Sequence, residues 1–126
     1  MELKDIIKTK EKLESKGYGI ENNVIKYVDV SVVAHFGNAV CFEIYCDNII
    51  PLSGYYNTNN LGYMIKAFVE LLGADREDGV RLSELKNIPC RLVFENKNPW
   101  GNKAIGIGHF MKDKFVLFDD FVKIKL

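Results

Sequence analysis

The chain has 126 residues, and its 17 Lys and Arg balance its 17 Asp and Glu, so the formal net charge is zero. Apolar residues make up 48% and charged residues 27%, values typical of a folded domain that disfavour disorder. The balanced charge disfavours a strongly electrostatic nucleic-acid binder. No apolar stretch is long enough to cross a bilayer, and the N-terminus lacks signal-peptide features. We therefore expect one cytoplasmic domain over residues 1–126, without a membrane partner.

The N-terminal residues 2–16 are predicted to form an amphipathic helix. Leu3, Ile6, Ile7 and Leu13 share one stripe, and lysines and glutamates cover the other faces. Gly17 follows as a left-handed stop signal.

A hairpin is predicted next, with strands over residues 24–36 and 40–46. Both segments alternate between apolar and polar positions, which is typical of strands with one buried face. Gly37-Asn38 between them tolerates the positive φ of a tight turn. The polar parity, which includes Tyr27, Asp29, Cys41 and Tyr45, should face away from the core.

Residues 48–60 are predicted to form a polar, aromatic loop, because Pro51 cannot extend a strand ladder and Ser, Gly and Asn follow it. A helix over residues 61–72 should come next, with a broad apolar face, and Gly73 should end it. This helix is the best candidate to pack across the sheet.

The C-terminal half is predicted to add strands to the same sheet. Residues 82–86 should form one helical turn, and strands should follow over 90–94, 103–110 and 115–124, the last bent at Asp119-Asp120. The order indicates an α+β fold with a mainly antiparallel, bent sheet of about five strands, an N-terminal helix and a central helix packed on it.

Cofactor, metal and phosphate sites are not predicted. Cys41 and Cys46 lie five apart in one strand and point to opposite faces, and no C-x-x-C or helical H-x-x-x-H pair exists. Gly106-Ile107-Gly108 lacks the rest of a dinucleotide fingerprint, which favours a strand that bends or lies against another backbone. The odd cysteine count favours reduced thiols.

Three weak arrangements leave catalysis open. His35 and Cys41 face each other across the predicted hairpin, where an imidazole could activate a thiol. His109 could act with an acidic neighbour. The pairs Asp119-Asp120 and Glu77-Asp78 are adjacent in sequence, so each pair points apart or lies in solvent and makes no acid–base site alone. No catalytic residue is assigned.

Single-stranded nucleic acid is an alternative ligand. Such binders combine aromatic platforms with cationic side chains, and the C-terminal part carries a mild local excess of lysine. The candidate contacts are Lys97, Lys103, Lys112 and Lys114.

A protein partner is the favoured ligand. Tyr55, Tyr56 and Trp100 fall in predicted loops, and Tyr and Trp are enriched at interface hot spots. The balanced charge and a free sheet edge make a homodimer a further expectation.

The segments Leu82–Cys90 and Trp100–Phe115 resemble small uncharacterised proteins encoded by prophages and other mobile elements of low-GC Gram-positive bacteria. The resemblance covers the last half of the chain; Asn87 replaces the usual glycine, and Phe115 stands where tryptophan is common. It implies a phage-type role, such as inhibiting a host defence enzyme or assisting DNA replication. The preferred hypothesis is a non-enzymatic interaction protein, with a nucleic-acid accessory protein and a small His35/Cys41 enzyme as alternatives.

Overall fold

A computed structural model describes residues 1–32, 39–96 and 103–124 of the chain. The described residues form an α+β fold built on a six-stranded antiparallel sheet of order β3-β2-β1-β4-β5-β6, one strand more than expected. The strands are β1 (Gly19–Val32), β2 (Ala39–Cys46), β3 (Leu52–Asn57), β4 (Pro89–Phe94), β5 (Ala104–His109) and β6 (Phe115–Leu117). The helices are α1 (Leu3–Ile6), α2 (Lys10–Ser15) and α3 (Thr58–Leu71), with 3₁₀ helices over Leu82–Leu85 and Phe118–Lys123.

The long strand β1 joins two halves of the sheet. Its residues 19–24 pair with β4, and its residues 25–32 pair with β2. A bulge between Ile25 and Tyr27 marks the change of partner. Bulges increase strand twist and bend, so this one helps to curl the sheet. The predicted hairpin of β1 and β2 is confirmed, and its turn lies outside the described residues.

Helix α3 packs on the inner face of the curled sheet. Asn57 caps its start by accepting a hydrogen bond from the Asn59 backbone N–H at 2.9 Å. The buried face of the helix includes Met64 and Phe68, both fully buried. The predicted central helix is thus confirmed, and it begins three residues earlier than expected because Asn57 serves as the cap.

The N-terminal segment is two short helices, so the prediction of one continuous helix over residues 2–16 was wrong. Between them, Lys8 is extended and pairs with Phe115: its N–H donates to the Phe115 carbonyl at 2.7 Å and its carbonyl accepts from Phe115 N–H at 3.0 Å. Thr9 then caps α2 through the Lys12 backbone N–H at 3.2 Å. Strand pairing with β6 therefore overrides local helix propensity.

The last predicted strand was also only partly correct. The chain leaves β6 after Leu117 and forms a 3₁₀ helix, which places Phe118 and Phe121 in the core. Asp120 accepts from Lys8 Nζ at 3.1 Å and from Lys123 Nζ at 2.8 Å. Burial alone would raise the Asp120 pKa, but these two lysines hold it below its usual value.

The glycines of β5 confirm the expectation of a close backbone approach. A Cβ at Gly106 would lie 2.8 Å from the Val116 carbonyl oxygen, and one at Gly108 would lie 2.7 Å from the Lys114 carbonyl oxygen. The segment is a strand packed tightly on β6 and the turn before it, not a phosphate-binding loop.

The two halves of the sheet differ in what covers their outer faces. Leu13 of α2 packs on Val93 and Phe115, so this helix covers the outer face near β4 and β6. In the described part of the chain, α2 also reaches Ile20 at the start of β1, but no helix lies over the outer face of β1 residues 25–32, β2 and β3. None of the described helices is long and apolar enough to cross a membrane.

Candidate functional site

The outer face of β1, β2 and β3 carries the most distinctive exposed group of side chains. Strand alternation turns one set of residues inward and the other outward, and the register brings outward residues side by side. Tyr27 is 50% exposed and Tyr55 is 62% exposed. We call this surface the acid–tyrosine face; it consists of Tyr27, Asp29, Ser31, Cys41, Glu43, Tyr45, Ser53 and Tyr55.

Two tyrosines stack across the strand pair at one end of this face. Tyr27 and Tyr45 are direct register partners, and their ring centroids lie 4.2 Å apart with planes inclined by 14°. Stacked cross-strand rings stabilise each other beyond the area they bury. The pair therefore forms a rigid aromatic surface that costs little further ordering when a partner contacts it.

Two carboxylates stand directly opposite each other beside the tyrosine pair. Asp29 of β1 and Glu43 of β2 are register partners, and neither forms an ion pair with any described residue. Like charges opposite each other are destabilising in a sheet. Burial and the Glu43 carboxylate raise the pKa of Tyr45, which keeps its hydroxyl protonated. The face therefore combines two unneutralised negative charges with aromatic rings.

Cys41 lies on the same face but has the wrong environment for a nucleophile. Burial and the carboxylates of Glu43 and Asp29 raise the pKa of its thiol, although a hydrogen bond with Ser31 acts in the opposite direction. Reactive cysteines need a positive surrounding that favours the thiolate. His35, the proposed base, lies outside the described residues.

The two adjacent tyrosines of the predicted loop have different positions. Residues 52–57 form β3 and not a loop, because all six pair with β2 residues 39–44. Tyr55 is exposed, as expected. Tyr56 is only 3% exposed and packs on Phe42 and Phe118, so its prediction as a surface contact was wrong. Successive strand residues point to opposite faces, which is the reason for the difference.

Two other candidate contacts, Trp100 and Lys97, lie outside the described residues. The remaining lysines do not form one patch. Lys112 and Lys114 are exposed in the turn between β5 and β6, whereas Lys103 lies before β5, about 20 Å away by strand length. Asp113 lies between Lys112 and Lys114 in the sequence, and its negative charge reduces the positive charge of that turn.

His109 is a structural residue of the same turn. Its Nδ1 accepts backbone hydrogen bonds from Met111 and Lys112, both at 3.0 Å. Burial and then the cations Lys112, Lys114 and Arg91 lower its pKa. The charged neighbours that lower its pKa are cations, and no ion pair joins His109 to an Asp or Glu within the described residues.

The thiols of Cys46 and Cys90 are free and buried, and they lie against each other. Their strands, β2 and β4, both flank β1, with Cys46 opposite Ile25 and Cys90 opposite Asn23. Cys41 and Cys46 point to opposite faces as predicted. Among residues 1–32, 39–96 and 103–124, no group of three or more His, Cys, Asp or Glu could hold a metal ion.

The sequence matches no protein-family model, no curated protein and no solved structure.

Four residues of the acid–tyrosine face were missed as candidate contacts, although the sequence carried a signal for them. Alternation already placed Tyr27, Asp29, Glu43 and Tyr45 on the outward parity of the hairpin. The missing information was the register, which turns separate outward residues into a stacked pair and an opposed acid pair.

Proposed function

We propose that this protein binds a protein partner through the acid–tyrosine face and has no catalytic role of its own. The observation that carries the proposal is the juxtaposition of the stacked Tyr27–Tyr45 pair with the opposed Asp29 and Glu43 on an uncovered sheet face. Tyrosine-rich, pre-ordered surfaces are typical of interface hot spots.

The chemistry of the face favours a partner that presents Lys or Arg. A cation between Asp29 and Glu43 would relieve their mutual repulsion, and its hydrocarbon stem could lie on the tyrosine rings. A partner of this kind gains affinity and association rate from charge complementarity.

Self-association through this face is disfavoured by the same charges. Two copies would bring four carboxylates together, two from Asp29 and two from Glu43, without a cation between them. The expected homodimer would therefore have to use another surface.

The nucleic-acid alternative has less support. The face repels phosphates, and the exposed Lys103 lies far along β5 from Lys112 and Lys114. The proposed partner is a host protein, such as a defence enzyme, as the resemblance to mobile-element proteins implies.

The test is a comparison of matched charge-neutral variants. Asp29→Asn with Glu43→Gln removes the charge from the face, whereas Glu11→Gln with Asp75→Asn removes the same charge from other exposed sites. Proteins captured from a bacterial lysate by wild type are identified, purified and titrated by calorimetry against each variant.

We expect the face variant to weaken binding at least about tenfold, and the control to change it less than about twofold. Affinity should also fall as salt is added. Equal affinity of both variants for every purified partner would overturn the proposal, as would salt-dependent binding of an oligonucleotide with higher affinity than any protein.

A further inference from the structure

A second binding feature lies where β1 changes partner. β2 ends at Cys46, opposite Ile25, so β1 residues 19–24 have β4 on one side and none of the described strands on the other. The structure holds an open cleft of about 940 Å³ along this edge, lined by Glu21, Asn22, Asn23, Val24, Asp47, Asn48, Ile49, Pro89, Phe94 and Phe110.

The end of β2 is fixed by the Asn23 side chain, whose amide bonds the Asp47 backbone as a neighbouring strand would. Asn23 Nδ2 donates to the Asp47 carbonyl at 3.1 Å, and its Oδ1 accepts from Asp47 N–H at 3.0 Å. Asn48 then adopts a φ of 56°, a left-handed conformation that turns the chain away. The gap beside β1 is therefore built into the fold.

The orientation of the β1 backbone follows from its pairing. The Ile25 N–H donates to Ile88 O at 2.9 Å, and Ile25 O accepts from Asn87 N–H at 2.7 Å, so both groups of Ile25 point toward β4. Alternation in an antiparallel pair then points the N–H and C=O groups of Ile20 and Asn22 away from β4, into the gap. These groups have no partner among the described backbone segments.

Charge and apolar surface beside the gap define what could fill it. Glu21 forms no ion pair with a described residue, whereas the Asp47 carboxylate is paired with Lys26 at 2.8 Å. Glu21 lies opposite Leu92 on β4, so it shares a face with Phe94 two residues further along. An added strand would need a cation opposite Glu21 and an apolar residue two positions away.

We propose that this cleft binds an extended peptide segment of a partner protein, which adds a strand to the open edge of β1 at Ile20 and Asn22 and places a Lys or Arg opposite Glu21. Strand addition of this kind takes affinity from main-chain hydrogen bonds and specificity from alternate side chains. The site is separate from the acid–tyrosine face, and its existence does not depend on the function proposed for that face.

The probe is the peptide Ac-Thr-Lys-Thr-Val-Thr-Lys-amide, which is long enough to pair with both Ile20 and Asn22; Val24 is left out because its N–H already donates to Asn23 Oδ1 at 2.7 Å. Its lysines and valine would share the face of Glu21, and its threonine N–H groups would point toward β1. N-methylation of the threonines removes the proposed ladder, whereas N-methylation of the lysines and valine modifies the outer edge only. An otherwise identical peptide with Glu in place of Lys tests the charge.

Binding is followed by amide NMR on the intact protein. We expect hydrogen exchange of the Ile20 and Asn22 amides to slow at saturation, and threonine N-methylation to weaken binding at least about tenfold, against less than about threefold for the outer-edge peptide. Glu21→Gln should weaken the lysine peptide about threefold or more, with Glu11→Gln as the matched control.

Four results would overturn the proposal: no binding at millimolar peptide, equal binding of the Glu peptide, indifference to threonine N-methylation, or amide shifts centred on Tyr27 and Tyr45. The last result would place the peptide on the acid–tyrosine face and would support the function proposed there. The two proposals can therefore fail separately.

Discussion

The inner and outer faces of β1, β2 and β3 come from the same strands but have opposite fates. On the inner face, Phe42 and Ile44 are fully buried under α3 and the C-terminal 3₁₀ helix. On the outer face, about half of Tyr27 and more than half of Tyr55 are exposed to solvent, and the carboxylates of Asp29 and Glu43 face each other. The inner face is committed to folding, whereas the outer face is not needed for it. Substitutions should therefore separate stability from binding.

Removal of an aromatic ring from the centre of the inner face should give the largest loss of stability. Phe42 contacts the rings of Tyr56, Phe68 and Phe118. We expect Phe42→Ala to lower the free energy of unfolding by about 3–5 kcal/mol, because it leaves a cavity in the core. Tyr55→Ala on the outer face should cost about 1 kcal/mol or less. Urea denaturation of both variants checks this difference, and similar losses would erase the distinction between the faces.

Removal of the buried Tyr56 hydroxyl from the inner face should stabilise the protein. Tyr56 Oη is buried and has no hydrogen-bond partner among the residues that the structure describes, and the ring lies against Gly54. Tyr56→Phe should raise the free energy of unfolding by about 1–2 kcal/mol, since the cost of desolvating the hydroxyl disappears. Tyr55→Phe, its exposed neighbour, should change stability by less than about 0.5 kcal/mol. A destabilised Tyr56→Phe protein in the same urea titration would show that the hydroxyl has a favourable interaction.

Alkaline pH should lower the stability of wild type relative to Tyr56→Phe. Burial, followed by the Asp119 charge and Cys41, raises the pKa of Tyr56 above its ordinary value near 10. The unfolded chain therefore loses this proton first, so this group does not change the free energy of unfolding with pH below about pH 10 and lowers it as pH rises above that value. Relative to Tyr56→Phe, wild type should lose about 0.8 kcal/mol more at pH 10.5 than at pH 8. Parallel denaturation curves at both pH values test this, with a constant difference as the contrary result.

The sequence predicts the hairpin and the central helix well because their signals are local. Period-two alternation identifies β1 and β2, and the apolar face from Met64 to Leu71 identifies α3. The segment from Ser53 to Asn57 contains turn-forming residues, and it becomes a strand only because β2 offers a free edge to pair with. The interruption at Lys8 likewise depends on Phe115, which is more than a hundred residues away. Long-range pairing of this kind leaves no local signal.

The candidate site shows the same limit. The outward parity of Tyr27, Asp29, Glu43 and Tyr45 follows from alternation, but their pairing depends on the bulge between Ile25 and Tyr27, which sets the register. The sequence contains no independent marker for that bulge. The open edge of β1 is hidden for the same reason, because it depends on where β2 ends relative to Asn23.

A charge reversal on the outer face should give the smallest change in stability and a large change in binding. Asp29→Lys converts the repulsive pair with Glu43 into an attractive cross-strand pair, so the free energy of unfolding should rise by about 0.5 kcal/mol. The gain should shrink at high salt because both groups lie at the surface. The same variant should weaken a cationic partner at least about tenfold, whereas Glu11→Lys on α2 should leave binding unchanged. Urea titrations at low and high salt, paired with calorimetry, measure both quantities. A variant that gains stability and keeps its affinity would show that the acid pair is not part of the interface, and the aromatic rings alone would then have to account for binding.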